Sequence, residues 1–357
     1  NKGPWLPVIE NDRLYGRGSA DDGYSVFCAV TAVSALQKSG INHPKCIILI
    51  ETCEESGSWD LEYYLEQEKE IIGTPELIIC LDSGCGDYNH MWVTTSLRGV
   101  VVGHLTARVL QQGIHSGASG MVASSFRILR QVLDRVENAE TGKILIDDFY
   151  ADIPVDCITQ MEHVAALLGN SLINDLPLYK NTRPVHTDPL ELIINATWKP
   201  ALSYIGADGI PDISKAGNVL REYTGLLLSL RTPPTLETHG AVDRFKSIIE
   251  NDPPYGASVE FEVLKQARGW KMPDLGEVLE SQIHSASEKC FGMPVYFTGE
   301  GGTIPFMTLL AEKFPSAKFL VTGVLGPNSN AHGPNEFLHL EYVKKLTLAV
   351  SSILGEF

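Results

Sequence analysis

A handful of acids and one histidine in this 357-residue sequence have the types and spacing to do chemistry together. Asp21 and Asp22 stand side by side in LYGRGSADDGYSVF, and Glu54 and Glu55 in ETCEESGS. Asp82 closes ELIICLDSG, and His332 lies in GPNSNAHGPNE. Adjacent carboxylates repel, and a cluster of them persists only when protonated or neutralised by cations. Oxygen ligands joined by an imidazole suit zinc or a similar divalent metal. A metal pair sharing a bridging carboxylate could activate a water; one of Glu54 and Glu55 would then bind metal and the other stay free as general base. Each piece alone has a plainer reading. An acid pair before a helix serves as a cap with favourable dipole interactions, paired glutamates after a strand make a solvated turn, and a lone loop histidine usually binds nothing. Their joint placement is what points to a site.

The elements that must position these groups follow from periodicity. Residues 24–39 put Val26, Ala29, Val33 and Leu36 on one helical face, with Gly40 as a stop. KCIILIET (45–52) and ELIICLD (76–82) read as short buried strands, with a helix capped by Ser58 between them. This alternation predicts an α/β sheet with helices on both faces, whose ligands gather outside the carboxyl ends of the strands. Near Gly99 the pattern changes to a β-rich stretch, then a helix with Val122, Phe126, Leu129, Leu133 and Val136 on one face. Residues 139–217 carry many Pro, Asp and Asn residues and few periodic segments. Strands at 223–231 and 257–266 flank a helix at 236–250, and the first style returns after RGWKMPD. An α+β insertion into one α/β parent explains this order most simply. The expected division is 1–98 and 269–357 for the parent and 99–268 for the insertion.

Composition narrows the partners. A net charge of −16 argues against nucleic acid and anionic membrane, and no apolar run approaches the ~20 residues that cross a bilayer. Seven scattered cysteines, with no CxxC pair, suggest buried free thiols and a cytoplasmic, reducing setting.

Taken together, LYGRGSADDG, ETCEESGS, LDSG and HGPNE resemble the M20 metallopeptidases over nearly the whole chain. That family includes dizinc dipeptidases of the carnosinase type, glutamate carboxypeptidases, aminoacylases and succinyl-diaminopimelate desuccinylases. The resemblance implies a catalytic α/β domain with a mixed sheet, interrupted by a lid or dimerisation domain, and a homodimer formed through that lid. It implies two Zn2+, with Mn2+ or Co2+ as substitutes. Asp21 would bridge the metals with Asp22 in support, Glu55 and His332 would hold one ion, Asp82 the other, and Glu54 would be the general base. His115 in GIHSGASG would reach the partner's active site and help hold an oxyanion. Gly301, Gly302 and Thr303 in GEGGTIP, at a helix N-terminus, and Arg231 would receive a substrate carboxylate. The implied substrates are dipeptides or small peptides with a free C-terminal carboxylate. N-acyl amino acids are the alternative, and a non-catalytic metal-binding dimeric scaffold is the alternative of another class.

Two departures stand out. The family's usual DDKG is DDGY here, so a nearby positive charge is missing. The family's first motif, H-x-D, precedes the acid pair and supplies a histidine to the metal that Asp82 would hold. None of the twenty residues before Asp21 is histidine, so the resemblance places that motif upstream of Asn1.

Overall fold

The first helix runs Tyr24–Ser39 and stops where the sequence says it should. Gly40 takes a left-handed φ of 68°, its N–H bonds the Gln37 carbonyl, and the Ile41 N–H bonds the Leu36 carbonyl. In this computed structural model, which describes residues 2–357, that helix buries Tyr24, Cys28, Ala32 and Leu36. The C-terminal helix Leu340–Glu356 packs beside it, and Gly276–Phe291 packs against Leu340–Glu356 in turn. The core they share is built around Trp92 and Tyr342, both fully buried.

Short sheets carry this half of the protein. Leu77–Cys80 pairs in parallel with Lys318–Val321. Trp92–Leu97 lies between Tyr296–Glu300, parallel, and Trp270–Lys271, antiparallel. Near the N-terminus, Arg13–Tyr15 is the middle strand between Val8–Glu10 and Phe337–His339. A second cluster around Leu61, Trp270, Met307 and Phe319 fills the space between the parallel pair and the helix Pro305–Lys313.

A separate hydrophobic core lies within residues 99–268. Its antiparallel sheet runs Ser258–Ala267, Gly99–Arg108, Tyr223–Thr232, Ala201–Asp208. The helices Ser125–Leu133 and Thr238–Glu250 cover one face, and Leu105, Ile128, Leu129, Phe149 and Phe245 lie in this core. The two chain crossings into this region touch at glycines. A Cβ on Gly99 would lie 2.8 Å from the Gly269 nitrogen, and one on Gly269 would lie 2.7 Å from the Leu97 carbonyl oxygen. The backbones can pass this closely only because neither residue has a side chain. The helices Val155–Leu168 and Pro189–Thr197, although inside 99–268, contribute Met161, Val164 and Ile193 to the first core rather than to this one.

Several local expectations are corrected. KCIILIET is not a buried strand: Ile47, Ile48, Leu49 and Ile50 are 41–58% exposed, and no strand forms there among the described residues. An apolar run supplies a surface to bury, but backbone pairing makes a strand, and this run has no neighbour to pair with. The first helix turns its Tyr24–Cys28–Ala32–Leu36 row inward instead of Val26, Ala29 and Val33. In the insertion, Ile128, Leu129, Val132, Leu133 and Val136 face the sheet while Phe126 is exposed. The helix expected from Ser58 starts at Leu61, with Asp60 at its cap. All seven cysteines are free; four are buried and three half-buried.

Candidate metal centre

Three loops bring the acids together. The loop GRGSAD delivers Asp21 and Asp22 to the start of the first helix, and the short 3-10 turn Glu54–Ser56 presents Glu54 and Glu55. The loop after Lys318–Val321 carries His332, whose φ of 60° is left-handed. The His332 Nε2 stands 2.9 Å from Asp21 Oδ2 and 3.1 Å from Glu55 Oε1. These three side chains are the one group of at least three His, Cys, Asp or Glu ligands within 4.8 Å of one another among the described residues. Two donors each ~2.0–2.1 Å from a tetrahedral ion sit roughly 3.3 Å apart. The observed spacings fall just inside that value, so the nitrogen and oxygen donors fit a zinc-like ion with little movement.

The surrounding charge points the same way. Burial pushes the Asp82 carboxyl up to about 8, and repulsion from Asp22, Glu54, Asp21 and Glu300 adds to it. Asp22 is raised to about 6 by burial, against a hydrogen bond from Ser25, with repulsion from Asp21 adding to the rise. Glu54 is raised by burial, then by Glu55, Glu51 and Asp21, with Lys265 opposing. Asp21 is raised by burial and Glu55, with His332 opposing. Carboxylates that hold one another's protons in this way lack positive charge, which a divalent cation would supply.

Other side chains fix the frame. The Tyr24 hydroxyl donates to the Leu81 carbonyl, tying the first helix to the end of the strand beside Asp82. One oxygen of Glu300 accepts from Ser83 Oγ at 2.7 Å, Gly84 N at 2.7 Å and Thr94 Oγ1 at 3.0 Å, which anchors the loop just after Asp82. Sequence reasoning passed over Glu300, although it sits inside the quoted GEGG, and over Glu336 in HGPNE.

A second cluster lies at the junction with the insertion. Arg231 donates to Thr303 Oγ1 at 2.8 Å, and Thr303 in turn donates to the Arg98 carbonyl at 2.5 Å. Arg98 donates through Nε to the Gly301 carbonyl at 3.2 Å and through Nη1 to the Asn195 and Lys199 carbonyls at 3.3 Å. Burial, then the Arg231 charge, lowers Arg98 to about 10, and burial lowers Arg231. Two half-buried guanidiniums lie close enough to repel here, and neither has an acidic partner among the described residues. A Cβ on Gly301 would lie 2.7 Å from the Ala196 carbonyl, whereas Gly302 is open to solvent. Arg98 had no sequence signal beyond its place before Gly99.

The structure therefore brings Asp21, Glu55 and His332 together, sets Asp82, Asp22 and Glu54 in the same field, and joins Arg231 to Thr303. Asp82 belongs to no three-ligand group among the described residues. His115 stands apart on the insertion, exposed, its Nδ1 accepting the Gly117 N–H at 3.0 Å.

Comparison with known proteins gives a consistent result. The model of "Peptidase family M20/M25/M40" matches residues 1–356. A cysteinylglycine-S-conjugate dipeptidase of Corynebacterium striatum is 24% identical over 98% of this chain and 75% of its own length. The probable di- and tripeptidase DUG2 of Saccharomyces cerevisiae is 26% identical over 99% of this chain, which spans only 39% of that protein. Among solved structures, the dipeptidase Dug1p of Saccharomyces cerevisiae superposes with a TM-score of 0.80 at 21% identity, over 99% of this chain and 75% of that one, a likeness of fold.

Proposed function

Because the chain belongs to peptidase family M20/M25/M40, we propose that it cleaves the amide bond of dipeptides and other small peptides with a free C-terminal carboxylate. The observation that carries this reading is the Asp21–Glu55–His332 trio, set among carboxylates that lack counter-charge. Two of the relatives are named as enzymes of di- or tripeptides, which supports this substrate class.

The trio would hold one divalent ion, with zinc as the first choice, and Asp21 and Asp82 would hold a second. Bound there, such ions would acidify a water and polarise the scissile carbonyl. Glu54 is the general base: it takes the proton of the attacking water and returns it to the leaving amine, and its burial raises its proton affinity for the first of these transfers. Arg231, Thr303, Gly301 and Gly302 receive the substrate carboxylate beside two guanidiniums that need an anion. His115 reaches the oxyanion from a second copy, so the working unit is a homodimer joined through the insertion.

The test is a panel of dipeptides, N-acetyl and N-succinyl amino acids, run with metal-reconstituted protein and with Glu54→Gln. Dipeptide turnover that falls roughly 10²–10⁴-fold in the variant, with metal still bound, is the expected result. Turnover confined to N-acyl amino acids would make the protein a deacylase. Wild-type turnover by Glu54→Gln would sink the assigned base.

A further inference from the structure

Glu336 ends the HGPNE stretch and is only 2% exposed. A buried carboxylate needs compensation. Its nearest cation is Arg17, at 3.6 Å and partly in solvent. Backbone donors supply the rest. Glu336 Oε1 accepts the N–H groups of Ala20 at 3.1 Å and Asp21 at 3.2 Å, and Oε2 accepts that of Gly18 at 3.1 Å. The connection runs in both directions. Gly16 N–H donates to the Glu336 carbonyl at 3.1 Å, and Arg17 Nη2 donates to the Gly333 carbonyl at 2.9 Å. Beyond these contacts the same two segments continue as paired strands, with Tyr15 opposite Phe337.

These bonds join two particular loops. One carries Asp21, whose own N–H is among the donors; the other carries His332, next to Gly333. Asp21 and His332 are far apart in sequence and 2.9 Å apart in space. We propose that Glu336 is a positioning residue that fixes the Asp21 loop against the His332 loop and so presets the metal site. It is not a ligand itself. Both of its oxygens are engaged by backbone donors, and its side chain is 1% exposed. This role rests on reading Asp21, Glu55 and His332 as metal ligands.

The experiment uses the full chain, stripped of metal. Zn2+ affinity is measured by competition with a chromophoric chelator, and Co2+ loading is followed by its visible d–d absorption, for wild type, Glu336→Gln and Arg17→Ala. The glutamine keeps the shape but puts an amide N–H group where Oε2 accepts from Gly18. Partners that orient metal ligands typically matter by roughly ten- to hundredfold in affinity. That loss, with an altered cobalt spectrum, is expected for Glu336→Gln, and a smaller loss for Arg17→Ala. Wild-type protein that binds neither ion would overturn the ligand reading itself. Wild-type protein that binds, beside a folded Glu336→Gln with the same affinity and spectrum, would overturn only the positioning role, even if that variant melted earlier. Should Glu336→Gln fail to fold, an unchanged affinity in Arg17→Ala overturns it.

Discussion

Asp82→Asn in metal-free protein offers a sharp test of the charge deficit at the centre. Asp82 titrates near 3.8 when unfolded and near 8 when folded, because burial and four neighbouring carboxylates hold its proton. The folded state therefore binds the extra proton. The stability tied to it is complete below about pH 4 and is lost as pH rises through about 8. Between pH 5 and 7 the folded chain holds about one more proton than the unfolded chain, which corresponds to a fall of about 1.4 kcal/mol per pH unit, or about 3 kcal/mol in all. Water penetration and relaxation around a half-buried group reduce this to about 1–3 kcal/mol. Asp22, raised to about 6, adds to the fall in the lower part of the window. Urea midpoints of chelator-treated protein should drop steadily from pH 5 to pH 7. Asp82→Asn should flatten the drop and be the more stable form at pH 7. Saturating Zn2+ should reverse the trend, because ligands bind metal in their deprotonated form. A wild-type midpoint that stays level or climbs over this range, or an Asn variant with the wild-type slope, would refute the reasoning.

Two further outcomes separate the proposed roles. Arg231→Ala should raise KM for dipeptides roughly tenfold or more, as expected for losing a charge-assisted hydrogen bond, and should leave C-terminally amidated substrates almost unchanged; an equal effect on both would remove Arg231 from the carboxylate site. Mixing inactive Glu54→Gln with inactive His115→Ala protein should restore activity up to about a quarter of the wild-type value if sites form across a homodimer, and no recovery after verified subunit exchange would count against action in trans.

Much of the centre was legible because metal chemistry constrains residue types. Carboxylates and an imidazole at loop ends after α/β elements have few other collective uses, so the acid pairs and His332 could be singled out before any fold was seen. The choice of Asp21 and Glu55 within those pairs, and the pairing of Arg231 with Thr303 through a shared anion, came from the family resemblance. Glu300, Glu336 and Arg98 were not found. Glu336 and Arg98 bond mostly to backbone groups, which leave no trace in residue identity, and Glu300 bonds to one backbone N–H and two hydroxyls from segments more than 200 residues away.

The sequence by itself determined the α/β class and where most helices begin and end, because helical period and glycine punctuation are local properties. It did not determine which row of a helix turns inward or whether an apolar run becomes a strand. Those depend on what lies opposite, as Phe126 and Ile47–Ile50 illustrate. Only the tertiary structure decided that His332 would stand 2.9 Å from Asp21, and that Glu336 would hold the two loops together. Such distances are set by packing and hydrogen bonds between segments separated by most of the chain, and no local pattern encodes them.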